Sequence, residues 1–320
     1  MSMSHKSSGT VLQQAAACGS VKKVRRLLKR GANVNAQGGE HGKALQVAAY
    51  RGHHRGPDSE SVAELLLERG ADINMHGGEF GTALQAACTV SGKFGHEVDF
   101  VEYLLEKGAD VNLQGGRYGN ALQAACRSSS TTLIQLLLDR GADVHAAGGK
   151  YGNVLQAAAS RGHVEVLKQL LERGADVNAE GGMQGTALQA ACTDNPEAVR
   201  LLLQHGADPD APGGIFGSAW HAASVVKHSE LRHDFDCGPT ILELLLDHGT
   251  DVNDTRGRRY TTALQATIDL REREFLTNQA RGRLIAQMDS RLRLLASRGA
   301  DINAAVDKHY SLLQLACLVE

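Results

Sequence analysis

The sequence predicts an all-α repeat solenoid, in which helical hairpins stack and are joined by connectors of nearly constant length. Three regularities of the 320 residues lead to this prediction. A Gly-Ala/Thr-Asp/Asn segment closes an apolar helix eight times, and an Ala-Leu-Gln-like segment starts a new helix nine times. The spacing from each closing glycine to the next helix start is 14 residues in seven cases and 15 in the eighth. Self-similarity over periods of about 20–50 residues indicates stacked repeats.

The variable part of the repeat lies in the hairpins. From helix start to closing glycine the length ranges from 18 to 35 residues, so the connector between hairpins is the geometrically constrained element. After a flexible N-terminus over residues 1–9, these anchors predict a single array over residues 10–320. Its repeats one to eight span 10–42, 43–81, 82–119, 120–152, 153–185, 186–217, 218–261 and 262–310, and a half repeat spans 311–320.

Local chemistry predicts where the helices begin and end. Six of the helix starts directly follow a residue whose side-chain oxygen can cap a helix N-terminus. These residues are Thr82, Asn120, Asn153, Thr186, Ser218 and Thr262, and Lys43 breaks the pattern. Every second helix ends with Arg, Lys or His, a cation that offsets the negative helix end. The closing glycine that follows suits a left-handed exit conformation.

The cysteines predict buried structural positions. Four of the six share one register, four residues after the Leu of a helix start: Cys88, Cys126, Cys192 and Cys317. Stacked helices lie about 8–10 Å apart, whereas the Cα atoms of a disulfide lie within about 7 Å. We therefore expect no bridge between neighbouring repeats, and interpret these cysteines as small core residues in place of Ala. Reduced thiols fit the cytoplasm or nucleus.

Composition and charge narrow the class of partner. The net charge is −2, which gives no whole-molecule reason to expect nucleic acid or an acidic membrane as a partner. The first nine residues lack the apolar core of a secretory signal, and no run of about 18 apolar residues occurs. We predict an intracellular protein, cytoplasmic or nuclear, that is not secreted and does not associate with a membrane.

One stretch carries a family resemblance. Gly162-His163, together with Gly174 to Asn178, resembles the ankyrin repeat, whose length matches the repeats of 32 or 33 residues. The family's Thr-Pro-Leu-His helix start is here Thr-Ala-Leu-Gln or Asn-Ala-Leu-Gln, and His is retained only at His221, after Trp220. A Gln amide donates and accepts hydrogen bonds, so we expect stacking through a different hydrogen-bond ladder. The Gly-Gly-x-aromatic-Gly connector resembles ankyrin arrays of filamentous fungi.

The resemblance implies an ankyrin array of helix-turn-helix repeats joined by protruding β-hairpin-like fingers. It also implies a non-catalytic scaffold that binds a protein on the concave face lined by these fingers. Aromatic residues share one register in five connectors, and we predict that they form the partner-binding stripe. They are Phe80, Tyr118, Tyr151, Phe216 and Tyr260, with His41 and Gln184 in the intervening fingers. In the alternative interpretation each ring stacks on the next finger and stiffens the array. The two roles are compatible.

Other clusters with reactive side chains favour no catalytic or cofactor site. Residues 38–43 resemble a phosphate-binding loop but miss its spacing and its final Ser/Thr, so we interpret them as a repeat connector and predict no nucleotide cofactor. The insertion of repeat seven holds His, Asp and Cys residues, but their spacing matches no zinc site that we recognise, so we predict no metal. No nucleophile occupies a strained turn, and we predict no enzymatic activity.

Repeat eight is rich in arginine. Residues 256–298 contain ten Arg and four acidic residues, a local charge of +6, and predict a lengthened helical hairpin. The arginine pairs recur every ten residues, which scatters them around a helix. This pattern favours a solvated, salt-bridged arm over an arm that binds protein or nucleic acid.

Two alternative functions stay open. The first is an enzyme or small-molecule accessory protein of a fungal metabolic pathway, with a pocket near Trp220, His221 and the repeat-seven loop. A deep closed pocket with a strongly perturbed titratable group would indicate it. The second is a sensor array detached from a larger signalling protein. We also expect the half repeat 311–320, whose apolar side has no partner helix, to dock weakly or self-associate.

Overall fold

The structure is a computed structural model. It describes residues 10–39, 42–51, 61–89, 97–126, 130–224, 238–255, 290–291 and 293–301. Several sequence-based predictions lie outside these residues. They concern His41, Thr262, Tyr260, Cys237, Cys317, the insertion of repeat seven, the arginine-rich arm of repeat eight and the half repeat 311–320.

Within the described residues, fourteen helices alternate with short connectors. The helices are α1 (Val11–Ala17), α2 (Val21–Lys29), α3 (Ala44–Arg51), α4 (Val62–Glu68), α5 (Ala83–Cys88), α6 (Glu97–Glu106), α7 (Ala121–Ala125), α8 (Thr131–Asp139), α9 (Val154–Ala159), α10 (Val164–Glu172), α11 (Ala187–Ala191), α12 (Pro196–Gln204), α13 (Ala219–Ser224) and α14 (Gly238–Asp247). Residues 293–297 are also helical. Odd-numbered helices are the first and even-numbered helices the second of each hairpin.

The chain forms two compact bodies, Met1–Ala157 and Ala158–Glu320. In the first body, α1, α3, α5 and α7 pack side by side, and each also packs on the second helix of its own hairpin. In the second body, α11 packs on α13, and these two pack on α12 and α14 respectively. This arrangement of stacked hairpins confirms the predicted all-α repeat fold.

The two helices of a hairpin bury their surfaces differently. All six residues of α5 are buried, and the small Ala and Cys side chains among them let neighbouring first helices approach closely. In α10, one stripe of Val166, Leu167 and Leu170 is buried. Glu165 and Lys168 of the same helix are exposed, as expected for an amphipathic helix at the surface.

The predicted helix boundaries are confirmed at the described positions. Backbone amides near the start of the first helices donate to side-chain oxygens of Thr82, Asn120, Asn153, Thr186 and Ser218. All eight closing glycines have a positive φ, between 82° and 90°. In repeat one, the amide of Ala32 donates to the carbonyl of Leu27 and the amide of Gly31 to that of Leu28, which satisfies carbonyls at the helix end.

The connectors form β-hairpin fingers. Strand β1 (Ala147–Gly148) pairs antiparallel with β2 (Gly152–Asn153). Four other fingers close through a single glycine pair: Gly77 with Gly81, Gly115 with Gly119, Gly181 with Gly185 and Gly213 with Gly217. The regular spacing in the sequence thus corresponds to one recurring backbone geometry.

Neighbouring fingers of one body contact each other through their backbones. In the first body, the amide of Lys150 donates to the carbonyl of Arg117 at 2.8 Å, and the amide of Arg117 to that of Glu79 at 2.6 Å. A Cβ atom on Gly116 would lie 2.5 Å from the carbonyl carbon of Phe80. Because the obstacle is backbone, a side chain at this position cannot be accommodated without moving a finger. This contact explains why the connector length is nearly constant.

Replacing Gly116 by Ala should therefore destabilise the protein by more than the cost of placing Ala in a left-handed backbone conformation. Gly116 and Gly19 have nearly the same φ, 63° and 64°, but a Cβ on Gly19 would meet nothing within 4 Å. We expect Gly19→Ala to cost about 1–2 kcal/mol, and Gly116→Ala about 1–3 kcal/mol more because of the steric overlap. Urea unfolding followed by circular dichroism measures both, and equal losses would contradict the role of the finger contact.

Cysteine reactivity provides a second test of the core. Cys88, Cys126 and Cys192 are buried and form no disulfide, whereas Cys18 is an exposed thiol. Burial raises the pKa of the Cys126 thiol to about 12, and it also raises the pKa of Cys192. Both groups therefore stay protonated near neutral pH, and the thiolate is the nucleophilic form.

In the native protein, iodoacetamide should alkylate Cys18 quickly and Cys126 and Cys192 only after unfolding. Peptide mapping by mass spectrometry with and without urea measures each site separately. Rapid native modification of Cys126 or Cys192 would contradict the described packing.

Candidate interaction surface

The fingers are held in place by buried glutamines at the start of the first helices. The side-chain amide of Gln85 donates to the carbonyls of Leu113 (2.7 Å) and Gly119 (3.3 Å), at the two ends of the following finger. Its Oε1 accepts from the backbone amide of Thr82 at 3.0 Å. The same residue type makes equivalent contacts at Gln13, Gln46 and Gln189. Gln thus forms the stacking ladder in these repeats.

Asparagines form a second ladder at the base of the fingers. Asn74 donates through Nδ2 to the carbonyl of the closing Gly108 at 3.0 Å, and its Oδ1 accepts from the amide of Asp110 at 2.9 Å. The same pair of bonds is made by Asn35, Asn112, Asn178 and Asn253. This role was not predicted from the sequence, although each of these asparagines lies four positions after a closing glycine, a regularity that could have indicated it.

Lys43, which breaks the capping pattern, takes part in the same scaffold. Its Nζ donates to Oε1 of Gln37 at 2.9 Å and to the backbone carbonyl of His76. The side chain is largely buried. Lys43 therefore connects two successive fingers of the first body.

The predicted aromatic stripe is mostly buried where the structure describes it. The exposed fractions of Phe80, Tyr118 and Phe216 are 6%, 5% and 9%, and Tyr151 is half-buried. Tyr118 and Tyr151 stack with ring centroids 6.2 Å apart. Phe80 stacks on Tyr50 at the end of α3, at 4.5 Å, a contact the sequence did not reveal. These contacts agree with the alternative interpretation, in which the rings stack and stiffen the array. Tyr151 is the most exposed of the four residues.

The residue directly before each aromatic position is the finger tip, and the tips differ in chemistry between the two bodies. In the first body the described tips are Glu79, which is half-buried, and Arg117 and Lys150, which are exposed. In the second body they are Met183 and Ile215, whose exposed fractions are 54% and 45%. The amide of Ile215 donates to the carbonyl of Met183 at 2.9 Å, so these two apolar tips are adjacent.

A buried polar cluster surrounds His221 in the second body. Its Nδ1 lies 2.8 Å from Oγ of Ser218 and 3.8 Å from Oδ2 of Asp254, and the three side chains are buried. Both of these partners approach the same ring nitrogen. Trp220 is fully buried beside it. The cluster is suited to holding its hairpin, in the position that Gln occupies elsewhere.

The described residues contain neither a metal-binding cluster nor a membrane-spanning helix. No group of three or more His, Cys, Asp or Glu side chains in this part of the chain is placed to hold a metal ion. Among the same residues, no helix is long and apolar enough to cross a membrane.

The glutamine ladder leads to a stability prediction. Gln85→Ala removes three hydrogen bonds and leaves the amide of Thr82 and the carbonyl of Leu113 without this partner. The carbonyl of Gly119 loses the bond from Gln85 but keeps the one from the amide of Gly115. We expect a loss of about 2–4 kcal/mol in the free energy of unfolding. The control Gln204→Ala, at an exposed position of α12, should change it by less than about 0.5 kcal/mol. Urea unfolding compares the two, and a similar small effect of both would argue against the ladder.

Comparison with known proteins agrees with this geometry. A family model described as ankyrin repeats (3 copies) matches residues 55–148 and 145–212, and an ankyrin repeat model matches residues 9–39. No curated protein matches. The crystal structure of the human ASB11 ankyrin repeat domain is similar, with a TM-score of 0.55 and 25% sequence identity. The match covers 76% of this chain and 99% of that chain.

Proposed function

Because this chain belongs to the ankyrin repeat family, whose repeats are generally protein–protein interaction modules, we propose that it is a non-catalytic scaffold that binds a protein on its fingers. The observation that carries this proposal is the contrast between the fingers' backbones and their tips. The backbones are fixed by the glutamine and asparagine ladders, whereas four of the five described tip side chains are exposed. A rigid frame that presents exposed side chains loses little conformational entropy on binding.

The aromatic row has two roles in this proposal. Phe80, Tyr118 and Phe216 are buried and set the spacing of the fingers. Tyr151, with its half-buried ring, contributes directly to the partner contact, and we place Tyr260 in the same row by its register. The stripe predicted from the sequence is therefore proposed as the base of the binding face, with the tips as its outer edge.

Three further features are part of the proposal. We infer a single array over residues 10–320 with the repeat boundaries given above, and connectors of the fungal type. The buried cysteines of the described residues are not joined in disulfides, which supports a cytoplasmic or nuclear protein, because thiols persist in reducing compartments. The net charge of −2 disfavours nucleic acid as the partner.

Affinity capture from a lysate of the source cell tests the binding face. One variant replaces the exposed tips, Arg117, Lys150, Met183 and Ile215, by Ser. A control replaces four exposed residues at the ends of second helices, Arg69, Lys107, Glu172 and Gln204, by Ala. We expect partners of the wild type to be lost with the tip variant and retained with the control, because only the first removes the finger contacts.

The variant Tyr151→Leu distinguishes two roles of this ring in the same experiment, direct contact with the partner and stabilisation of the stacked fingers. If the ring contacts the partner, recovery falls while the thermal midpoint is nearly unchanged. A lower thermal midpoint with full recovery would assign the ring to stiffening alone. Equal recovery from the wild type and the tip variant, both with native helix content, would refute the proposed face. The absence of any protein partner would favour the small-molecule or sensor-array alternatives.

A further inference from the structure

Three exposed cations of the first body are paired with aromatic rings. Each lies over the ring of its neighbour in the sequence. The pairs are Arg51 over Tyr50 at 5.9 Å, Arg117 over Tyr118 at 6.0 Å and Lys150 over Tyr151 at 5.7 Å, measured to the ring centroid. A cation at this distance is attracted to the face of the ring, which restricts the side chain without neutralising its charge.

These pairs belong to one continuous row. Tyr118 stacks on Tyr151, and the tip backbones of Arg117 and Lys150 are joined by a hydrogen bond of 2.8 Å. The amide of Arg117 in turn donates to the tip carbonyl of Glu79. Phe80, which follows Glu79, stacks on Tyr50 and so places Arg51 at the end of the row. The three positive charges therefore lie along adjoining elements of one body.

The charges have no carboxylate partner in the part of the chain that the structure describes. The ion pairs seen among the described residues, such as Arg140 with Glu102 and Arg298 with Asp247, do not involve Arg51, Arg117 or Lys150. Glu79 is the one described acidic tip of this body, and it is half-buried. The row thus offers exposed and pre-positioned positive charge with no carboxylate partner among the described residues, on a chain whose net charge is −2.

We propose that the fingers of the first body bind an extended acidic peptide segment of the protein partner, with carboxylates on Arg117 and Lys150 and a further one on Arg51. This inference rests on the proposed function, since it names the partner chemistry of the same face. Alternate side chains of an extended chain lie about 6.6–6.8 Å apart. That separation suits neighbouring tips whose backbones are in direct hydrogen-bond contact, so acidic residues at alternate positions fit the row.

Single-stranded nucleic acid is the competing polyanion, and the ring contacts disfavour it. Sequence-tolerant binding of single strands depends on aromatic faces on which bases stack. Phe80 and Tyr118 are buried, and the rings of Tyr118 and Tyr151 are stacked on each other. The cations are available to carboxylates, whereas the ring faces are largely occupied.

Fluorescence anisotropy with a labelled synthetic peptide tests the inference. The probe is a peptide of about eight residues in which glutamate and threonine alternate. The variant Arg117→Gln/Lys150→Gln removes the two tip charges. The matched control, Arg69→Gln/Lys107→Gln, removes the same charge from exposed residues of repeats two and three outside the tips. Lys107 also lies over a ring, Tyr103, at 5.4 Å, so the control reproduces a cation–ring pair.

We expect the tip variant to weaken peptide binding at least about tenfold, and the control to change it by less than about twofold. Raising the salt concentration should weaken wild-type binding, and a glutamine-threonine peptide should not bind. A peptide with the same composition but its glutamates in one block should bind more weakly. No binding of the alternating peptide, equal loss in both variants, or tighter binding of a single-stranded oligouridine would overturn the inference.

Repeating the lysate capture with Arg117→Gln/Lys150→Gln separates this inference from the proposed function. If partners are lost with the four-residue tip variant but retained with this one, the acidic-peptide inference fails and the scaffold function stands. If both variants lose the same partner and the alternating peptide displaces it from the wild type, the inference is supported.

Discussion

Contact between the backbones of neighbouring fingers is the constraint on which the repeat depends. Where the glycine of one finger lies against a carbonyl of the finger before it, as Gly116 does against Phe80, no side chain fits. The connector must then deliver each helix start at a fixed offset, which accounts for its nearly constant length. The hairpins face no such requirement, because added loop length between two helices costs little free energy.

Side-chain hydrogen bonds fix how neighbouring fingers align. A buried glutamine near the start of a first helix, such as Gln85, satisfies carbonyls at both ends of a finger, and a more exposed asparagine at the base of the finger, such as Asn74, joins it to the next closing glycine. Each of these bonds contributes modestly when made, but loss of a glutamine leaves buried groups unpaired. They therefore specify one register of stacking as well as stabilising it. His221 shows that another side chain can occupy the glutamine position when Ser218 provides its partner.

Local chemistry made much of this fold predictable. The helix caps and the positive φ of the closing glycines depend on residues within four positions of each other, and the sequence predicted both. The exposure of the aromatic row depends on the neighbouring finger, so periodicity gave its register but not its burial. The stacking of Phe80 on Tyr50 and the row of cations join residues about 30 or more positions apart, as do the asparagine bonds. Such contacts emerge only when the repeats are assembled.

The finger tip is a single side chain on a backbone that its flanking residues already hold. A change at this position alters the charge or polarity of the face while leaving the ladders and the glycine contacts intact. In evolution, substitutions such as those that distinguish Lys150 from Met183 would meet little selection for stability. On the proposed binding face, partner choice can therefore diverge one residue at a time, faster than the architecture that presents it.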